Sequence, residues 1–510
     1  MGDEKRLPYL GVVGLMLGIF LATLDGQIVG VALPAVVGDL GGLGQFSWAV
    51  TGYLLAMAAA TPIWGKLGDL YGRKGAYQAS VLLFLLGTVL CGVAQDMPQL
   101  IAFRTLQGLG AGGLMVGALS VIGVLVPADA RGRVQSVIGV MLPVAFVGGP
   151  LLGGLLTDAL SWRWVFYVNV PFGAFALLAV GRGVRLSERR PPGGRIDFAG
   201  AGLLTAAVLS LTLLASWGGT SHGWGSPVIA ALAVVAAVAT AGFVRVERRA
   251  AEPVIPPRLF RDRDFALAQA LSFLVGAAMM SVVNYLPQYL QFTRGSSPVA
   301  SGTQIMPLML GMLAAQLTVG RLTDRGDPRR LVPVTGAALT VAGALLLLLL
   351  DTDTPVFLAS ALSLVLGAGV GVLMQSTLLT TMSTAPPRDM GAASGTVTLA
   401  RTIGGSLGVA ALGAVHAARM SAELSGRLGD AAAERLVSGG ELTPALVDGM
   451  PARAREAVAA AFTTGLHGVL VGASLIAVAA FALACLTHRD RAGTPAATVA
   501  EAQPPPARLP

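Results

Sequence analysis

The chain alternates apolar runs of about twenty residues with short basic loops, and that alternation restricts it to a bilayer. A helix needs roughly 20 apolar residues to cross a hydrocarbon core of about 30 Å. Such runs fall near 8–36, 47–65, 76–95, 99–126, 135–157, 164–181, 198–216 and 227–244. Six more fall near 266–290, 302–320, 331–350, 355–382, 391–415 and 462–486, which makes fourteen spans. Only 12% of the 510 residues are charged and 54% are hydrophobic, whereas a soluble domain is about 25% charged. The fold class is therefore an all-α polytopic membrane protein.

The basic residues fix the orientation. With the N-terminus cytoplasmic, one side of the membrane receives Lys66, Arg73 and Lys74, then Arg131 and Arg133, then Arg182, Arg185, Arg189, Arg190 and Arg195. The same side receives Arg245, Arg248, Arg249, Arg258, Arg261, Arg263, Arg321, Arg325, Arg329 and Arg330. The short loops of the other side hold Arg163 and Arg294. This is the positive-inside pattern, repeated at every crossing, and it puts both termini in the cytoplasm. The formal charge of +8 is spread over these loops and forms no nucleic-acid patch. Cys91 and Cys485 lie in apolar runs and the four histidines are scattered, so neither a disulfide framework nor a metal cluster is expected.

Residues 1–181 read as a first six-helix unit, 182–264 as a linker carrying two inserted spans, and 265–488 as a second six-helix unit. The inserted spans are Ala, Leu and Val with almost no polar side chain, which suits structural helices. The mixed-charge outer loop 416–461 reads either as an amphipathic hairpin or cap, or as a tolerated insertion. The tail 489–510 has a disordered composition.

Chemistry is concentrated in a few places. Asp25 is the acid that falls well inside a span, where burying a carboxylate costs about 2.5 to 3.5 kcal/mol on insertion scales. Arg104 lies a few residues into span four, which runs opposite to span one. At 1.5 Å per residue the two charges share the outer third of the bilayer, the requirement for a pair or proton relay. The loop GKLGDLYGRKG places Gly65, Asp69, Gly72, Arg73 and Lys74 between spans two and three, and an acid among bases there suits a latch that holds one conformation and releases in another. GRLTDRGDPRR, with Asp324, echoes it after span ten, which suggests internally repeated bundles. Small residues in span four and in VGGPLLGG (Gly149, Pro150, Gly153, Gly154) permit close helix contact. Tyr53, Gln107, Phe146, Asn284, Tyr285, Gln304 and Met306 are candidates to line a substrate cavity.

These motifs resemble the fourteen-span drug:proton antiporter family of the major facilitator superfamily. LDGQIVGVALP is similar to its first-span motif, with Gln27 where the family carries Thr; GKLGDLYGRKG resembles the loop signature of the superfamily; RTLQGLGAG resembles the span-four signature. VGGPLLGG resembles the antiporter signature, and WRWVFYVNVPFG a stretch of the fourteen-span group. The resemblance implies two six-helix domains around a central cavity, with spans seven and eight inserted, and alternating access coupled to proton exchange at Asp25. It implies no cofactor beyond a proton gradient, and as partners a small lipophilic or cationic substrate, protons and membrane lipid, with the chain a monomer in the cytoplasmic membrane. Span ten carries Gln304 and no acid, which weighs against dications. Export of an endogenous metabolite, antibiotic, lipid or amino acid on the same fold stays open, as does proton symport. No enzyme is expected, since no nucleophile–base set or nucleotide-binding sequence appears.

Overall fold

The apolar runs form helices. α1 (Tyr9–Leu40), α2 (Phe46–Tyr71), α3 (Arg73–Gly92), α4 (Met97–Leu125), α5 (Ala128–Ala159), α6 (Trp164–Tyr167) and α7 (Asn169–Gly183) make the first six crossings. α8 (Phe198–Trp217) and α9 (Pro227–Glu247) make the next two. α10 (Arg263–Phe292), α11 (Pro298–Gln304), α12 (Met306–Thr323), α13 (Val332–Leu347), α14 (Val356–Thr384), α15 (Met390–Leu428) and α16 (Ala452–Leu486) complete the chain. This computed structural model describes residues 9–40, 46–126, 128–186, 197–218, 222–223, 225–296, 298–323, 331–430, 433, 447 and 449–486, with some side chains inside the helices outside that set. Among the described residues, eleven crossings are long and apolar enough to span a bilayer on their own, and α13 is a shorter apolar helix.

Two expected spans are broken, each near a proline. Pro171 has no N–H to offer the Tyr167 carbonyl, and the chain divides into α6 and α7 around Val168. Pro307 likewise offers nothing to Thr303, and α11 gives way to α12 at Ile305. The first break sets Asn169 at the start of α7 with its side chain turned into the bundle.

The two halves share one packing scheme. In α4, Gly108 and Gly112 lie against the carbonyls of Tyr53 and Met57 on α2, and Gly110 against Phe84 on α3. In α14, Gly367 and Gly371 lie against the carbonyls of Leu308 and Met312 on α12, and Gly369 against Thr340 on α13. A Cβ at any of these six positions would collide with backbone, so the spacing of glycines fixes how closely the helices cross. α2–α4 and α12–α14 are thus repeats, placed on either side of the molecule.

α8 packs on α9 and inserts between the halves. Ala201, Leu204 and Val208 meet Ala58 of α2 and Leu399 of α15 in one apolar cluster. The inserted pair therefore covers a seam between the halves, while α9 keeps most of its surface outward. α15 runs for 39 residues in all, about 58 Å at 1.5 Å per residue, longer than a hydrocarbon core of about 30 Å. It extends well past the expected 391–415, and α16 begins at Ala452 instead of 462. Leu424, Val447, Val458 and Phe462 pack these extensions together, so part of the outer loop is helix continuous with the spans. Residues 431–432, 434–446 and 448 of that loop, and the tail from 487, lie outside the described residues.

The shared packing scheme makes a clear forecast. Gly112→Leu forces a side chain onto the Met57 carbonyl and Thr61 and should cost about 1–3 kcal/mol. It should lower the thermal unfolding midpoint of the purified protein, measured by tryptophan fluorescence. Gly202→Ala, inside α8 with open space around it, should not lower the midpoint.

Candidate functional site

Five helices of the first half converge on Asp25. The carboxylate is fully buried, and Arg104 of α4, itself 1% exposed, donates from Nη1 to Oδ2 at 2.5 Å. The other oxygen, Oδ1, accepts from Gln107 Nε2 at 2.9 Å and from Asn169 Nδ2 at 3.0 Å. Gln107 reaches further, donating to Thr88 Oγ1 of α3 at 2.8 Å while its Oε1 accepts from Arg104 at 2.7 Å. Arg104 Nε donates to the Ala49 carbonyl, and its guanidinium lies 4.1 Å from the centre of the Tyr53 ring. Tyr53 in turn donates to the Ala22 carbonyl of α1 at 3.0 Å.

The arrangement answers the cost of two charges in a low-dielectric interior. A buried ion pair is tolerable when its remaining donors and lone pairs are satisfied, and removing one partner costs about 3–5 kcal/mol. Here the acid has three donors from three side chains, and the cation has an acid, an amide oxygen, a carbonyl and a ring face. Asn169 Oδ1 alone is buried without a partner. The group is fully buried and fixed in place by these contacts.

Two of these residues were not singled out from the sequence. Thr88 falls in an apolar run, and Asn169 lies in WRWVFYVNVPFG, noted there only for its resemblance to the fourteen-span group. The available signal was an amide two residues before a mid-span proline, where a helix break turns a side chain inward.

A second constellation lies at the end of the bundle where the arginines collect, here called the basic end. Asp69 Oδ1 accepts from Arg73 at 2.8 Å and from the Gly391 N–H at 3.0 Å, and Oδ2 accepts from the Ala392 N–H at 2.9 Å. Arg73 also donates to the Pro387 carbonyl. Both N–H groups belong to the first turn of α15, whose unpaired donors and positive end favour a carboxylate. Gly65 and Gly391 cross backbone to backbone, and Gly72 sits at φ 103°, which a side chain would strain. Lys74 donates instead to the Gly181 and Val184 carbonyls at the end of α7. The first half is thus pinned to the second by hydrogen bonds at the basic end. At the opposite end, hydrogen bonds from Arg163 and from the Trp162 indole hold the Asp39 carboxyl below its ordinary range.

A third feature lies between the halves. A cavity of about 40 Å3 is bounded by Met115 and Leu119 of α4, Ile138 of α5, Met374 and Gln375 of α14 and Arg401 of α15, among others. None of the residues expected to line a substrate cavity is among those that border this one. Tyr53 and Gln107 belong to the Asp25 cluster. Tyr285 stacks on His416 inside the second half, Asn284 is exposed and bonds its own helix, and Gln304 and Met306 lie at the α11–α12 junction. Gly149 and Gly153 bring α5 against Gln27 and Ile28 of α1, while nothing described approaches Gly154. The side chains of Phe146 and Pro150, and Asp324 altogether, lie outside the described residues.

The family model described as Major Facilitator Superfamily matches residues 15–409. The chain belongs to this superfamily. It is a multi-pass membrane transporter and not an enzyme. An MFS-type transporter of Mycobacterium tuberculosis is 40% identical over 473 residues, covering 92% of this chain and 68% of the relative. The multidrug transporter protein MdtP of Bacillus subtilis is 36% identical over 429 residues, covering 84% of this chain and 78% of the relative. Among solved structures, the human organic anion transporter MFSD10 superposes with a TM-score of 0.58 at 16% identity, over 94% of this chain and all of that one. A bacterial homolog of the human lysosomal transporter Spinster gives 0.52 at 18% identity, over 96% and 98%. At these identities the structures support the fold alone.

The latch is directly testable. With Cys485, which is exposed, replaced by Ser, a cysteine introduced by Ser394→Cys reports the first turns of α15, where Ser394 is fully buried. Asp69→Ala should speed its maleimide labelling about tenfold, the ratio equivalent to about 1.4 kcal/mol of population shift.

Proposed function

We propose that the protein is a proton-coupled antiporter that exports drugs or related small lipophilic molecules across the cytoplasmic membrane by alternating access. The observation that carries this is the carboxylate of Asp25, held by Arg104, Gln107 and Asn169 in a dry site within one half. A scaffold has no use for a costly intramembrane charge, whereas a coupled carrier needs one group that binds a proton in one conformation and gives it up in another. Relatives named multidrug transporter protein MdtP and multidrug resistance protein 3, both of Bacillus subtilis, support the export reading.

By the positive-inside reading the basic end faces the cytoplasm. The latched arrangement is then the state closed inward, from which substrate leaves and a proton enters. Protonation of Asp25 removes the Coulomb attraction to Arg104 and frees one donor, so α1 loosens from α4. That change favours parting of the latch, with Asp69 releasing the first turn of α15. Discharge of the proton to the cytoplasm restores the pair and resets the cycle. Proton symport would use the same carboxylate, and the direction of flux separates the two readings.

The test is transport in proteoliposomes with an imposed pH gradient, comparing ethidium with an uncharged fluorescent solute. Gradient-driven flux of at least one probe is expected, opposite in direction to the proton. Asp25→Asn should reduce it to the level of protein-free liposomes. Undiminished coupled flux in that variant would remove Asp25 from the mechanism, and flux in the same direction as the proton would replace antiport by symport.

A further inference from the structure

Among the described residues, the cavity between the halves holds a cation without a counter-ion. Arg401 Nε and Nη2 are buried and have no hydrogen-bond partner, and the same is true of Nε2 of Gln375, a residue only 2% exposed. Both side chains border the cavity, and none of the residues around it is acidic. Asp25 does not supply the missing charge, since its oxygens are taken by Arg104, Gln107 and Asn169. Arg401 as a whole is partly buried, and leaving two buried guanidinium nitrogens without acceptors is costly within a membrane span. Two orphaned donors facing one space are satisfied together by one group: an acceptor pair bearing negative charge.

We propose that this cavity is the head-group end of a substrate site, and that it takes the carboxylate, or a comparable anionic group, of a lipophilic acid. Arg401 supplies the charge and a planar fork suited to a two-oxygen acceptor, and Gln375 Nε2 a further donor. Met115, Leu119, Met374 and Leu378 form the apolar wall for the body of the molecule, and the thioethers let that wall adapt to different shapes. The site draws on α4 of one half and α14 and α15 of the other, so it is complete only when the halves meet. At about 40 Å3 the latched state has room for the head group alone, and the apolar body enters when the halves part. The inference rests on the export reading and deepens it by naming a further substrate class, lipophilic acids.

The experiment is equilibrium binding to the purified full-length protein in nanodiscs, with protein-free nanodiscs subtracted and no gradient imposed. The probes are radiolabelled 1-naphthaleneacetate and its neutral isostere 1-naphthaleneacetamide. The acid should bind at least about tenfold more tightly, in line with a charge-assisted bidentate contact. Arg401→Gln should bring the acid down to the affinity of the amide, while Arg401→Lys should keep part of the preference. Gln375→Leu should weaken the acid several-fold and leave the amide unchanged, which serves if Arg401→Gln does not fold. Equal binding of the two probes by the native protein, or an undiminished preference in either Arg401→Gln or Gln375→Leu, would overturn the proposal. Because no proton gradient enters the measurement, that failure would leave proton-coupled export standing. Conversely, Asp25→Asn should abolish coupled flux without touching the preference for the acid.

Discussion

The buried pair of Asp25 and Arg104 is the constraint on which the first half is built. Neither charge is tolerable alone at that depth, so the fold must bring α1 and α4 together with atomic register. That demand draws in Gln107 and Asn169 as donors, Thr88 as the far anchor of Gln107, and Tyr53 as the ring beneath the guanidinium. The glycines of α4 serve the same end, since they let α2 and α3 approach closely enough for Tyr53 and Thr88 to reach the cluster. Charge placement and helix packing are here one problem with one solution.

The second half repeats the packing without the charge. By the matching of Gly108 with Gly367, Ser363 of α14 occupies the place of Arg104, and Leu366 that of Gln107. Ser363 is fully buried and bonds only its own helix. The repeat thus divides into a half that holds a titratable acid and a half whose intramembrane cation, Arg401, faces the seam. A symmetric scaffold thus carries asymmetric charges.

The fold was legible because a bilayer leaves few options: the apolar runs and the arginines between them specify fourteen crossings with little help from tertiary context. The contact of Asp25 with Arg104 was legible for a similar reason, since two intramembrane charges at one depth on antiparallel spans seek each other. Polar residues without charge were a different matter. Asn169 joins the cluster and Asn284 does not, yet both are amides in apolar runs, and only the rotation of each helix about its axis distinguishes them. The long extensions of α15 and α16 were hidden because a mixed-charge, helix-prone loop gives no sign of whether it continues a span or starts anew. Lining residues of a cavity between halves depend on how two rigid bodies meet, which no local pattern encodes.

The segment between α9 and α10 carries a consequence of its own. Glu247 accepts the N–H groups of Val254 and Ile255 and so turns the chain back at the end of α9. From there Glu252 pairs with Lys66 at the end of α2, and Arg258 with Asp389 at the start of α15. One short peptide is therefore fastened to both halves at the basic end. Five residues lie between the two fastenings, six Cα–Cα steps, and a fully extended chain covers at most about 3.6 Å per step, roughly 22 Å in all. The segment acts as a ruler. In the proposed cycle the basic end can open only so far before Lys66 or Asp389, both deeply buried, must surrender its partner to water, so that the length of a linker would set the stroke.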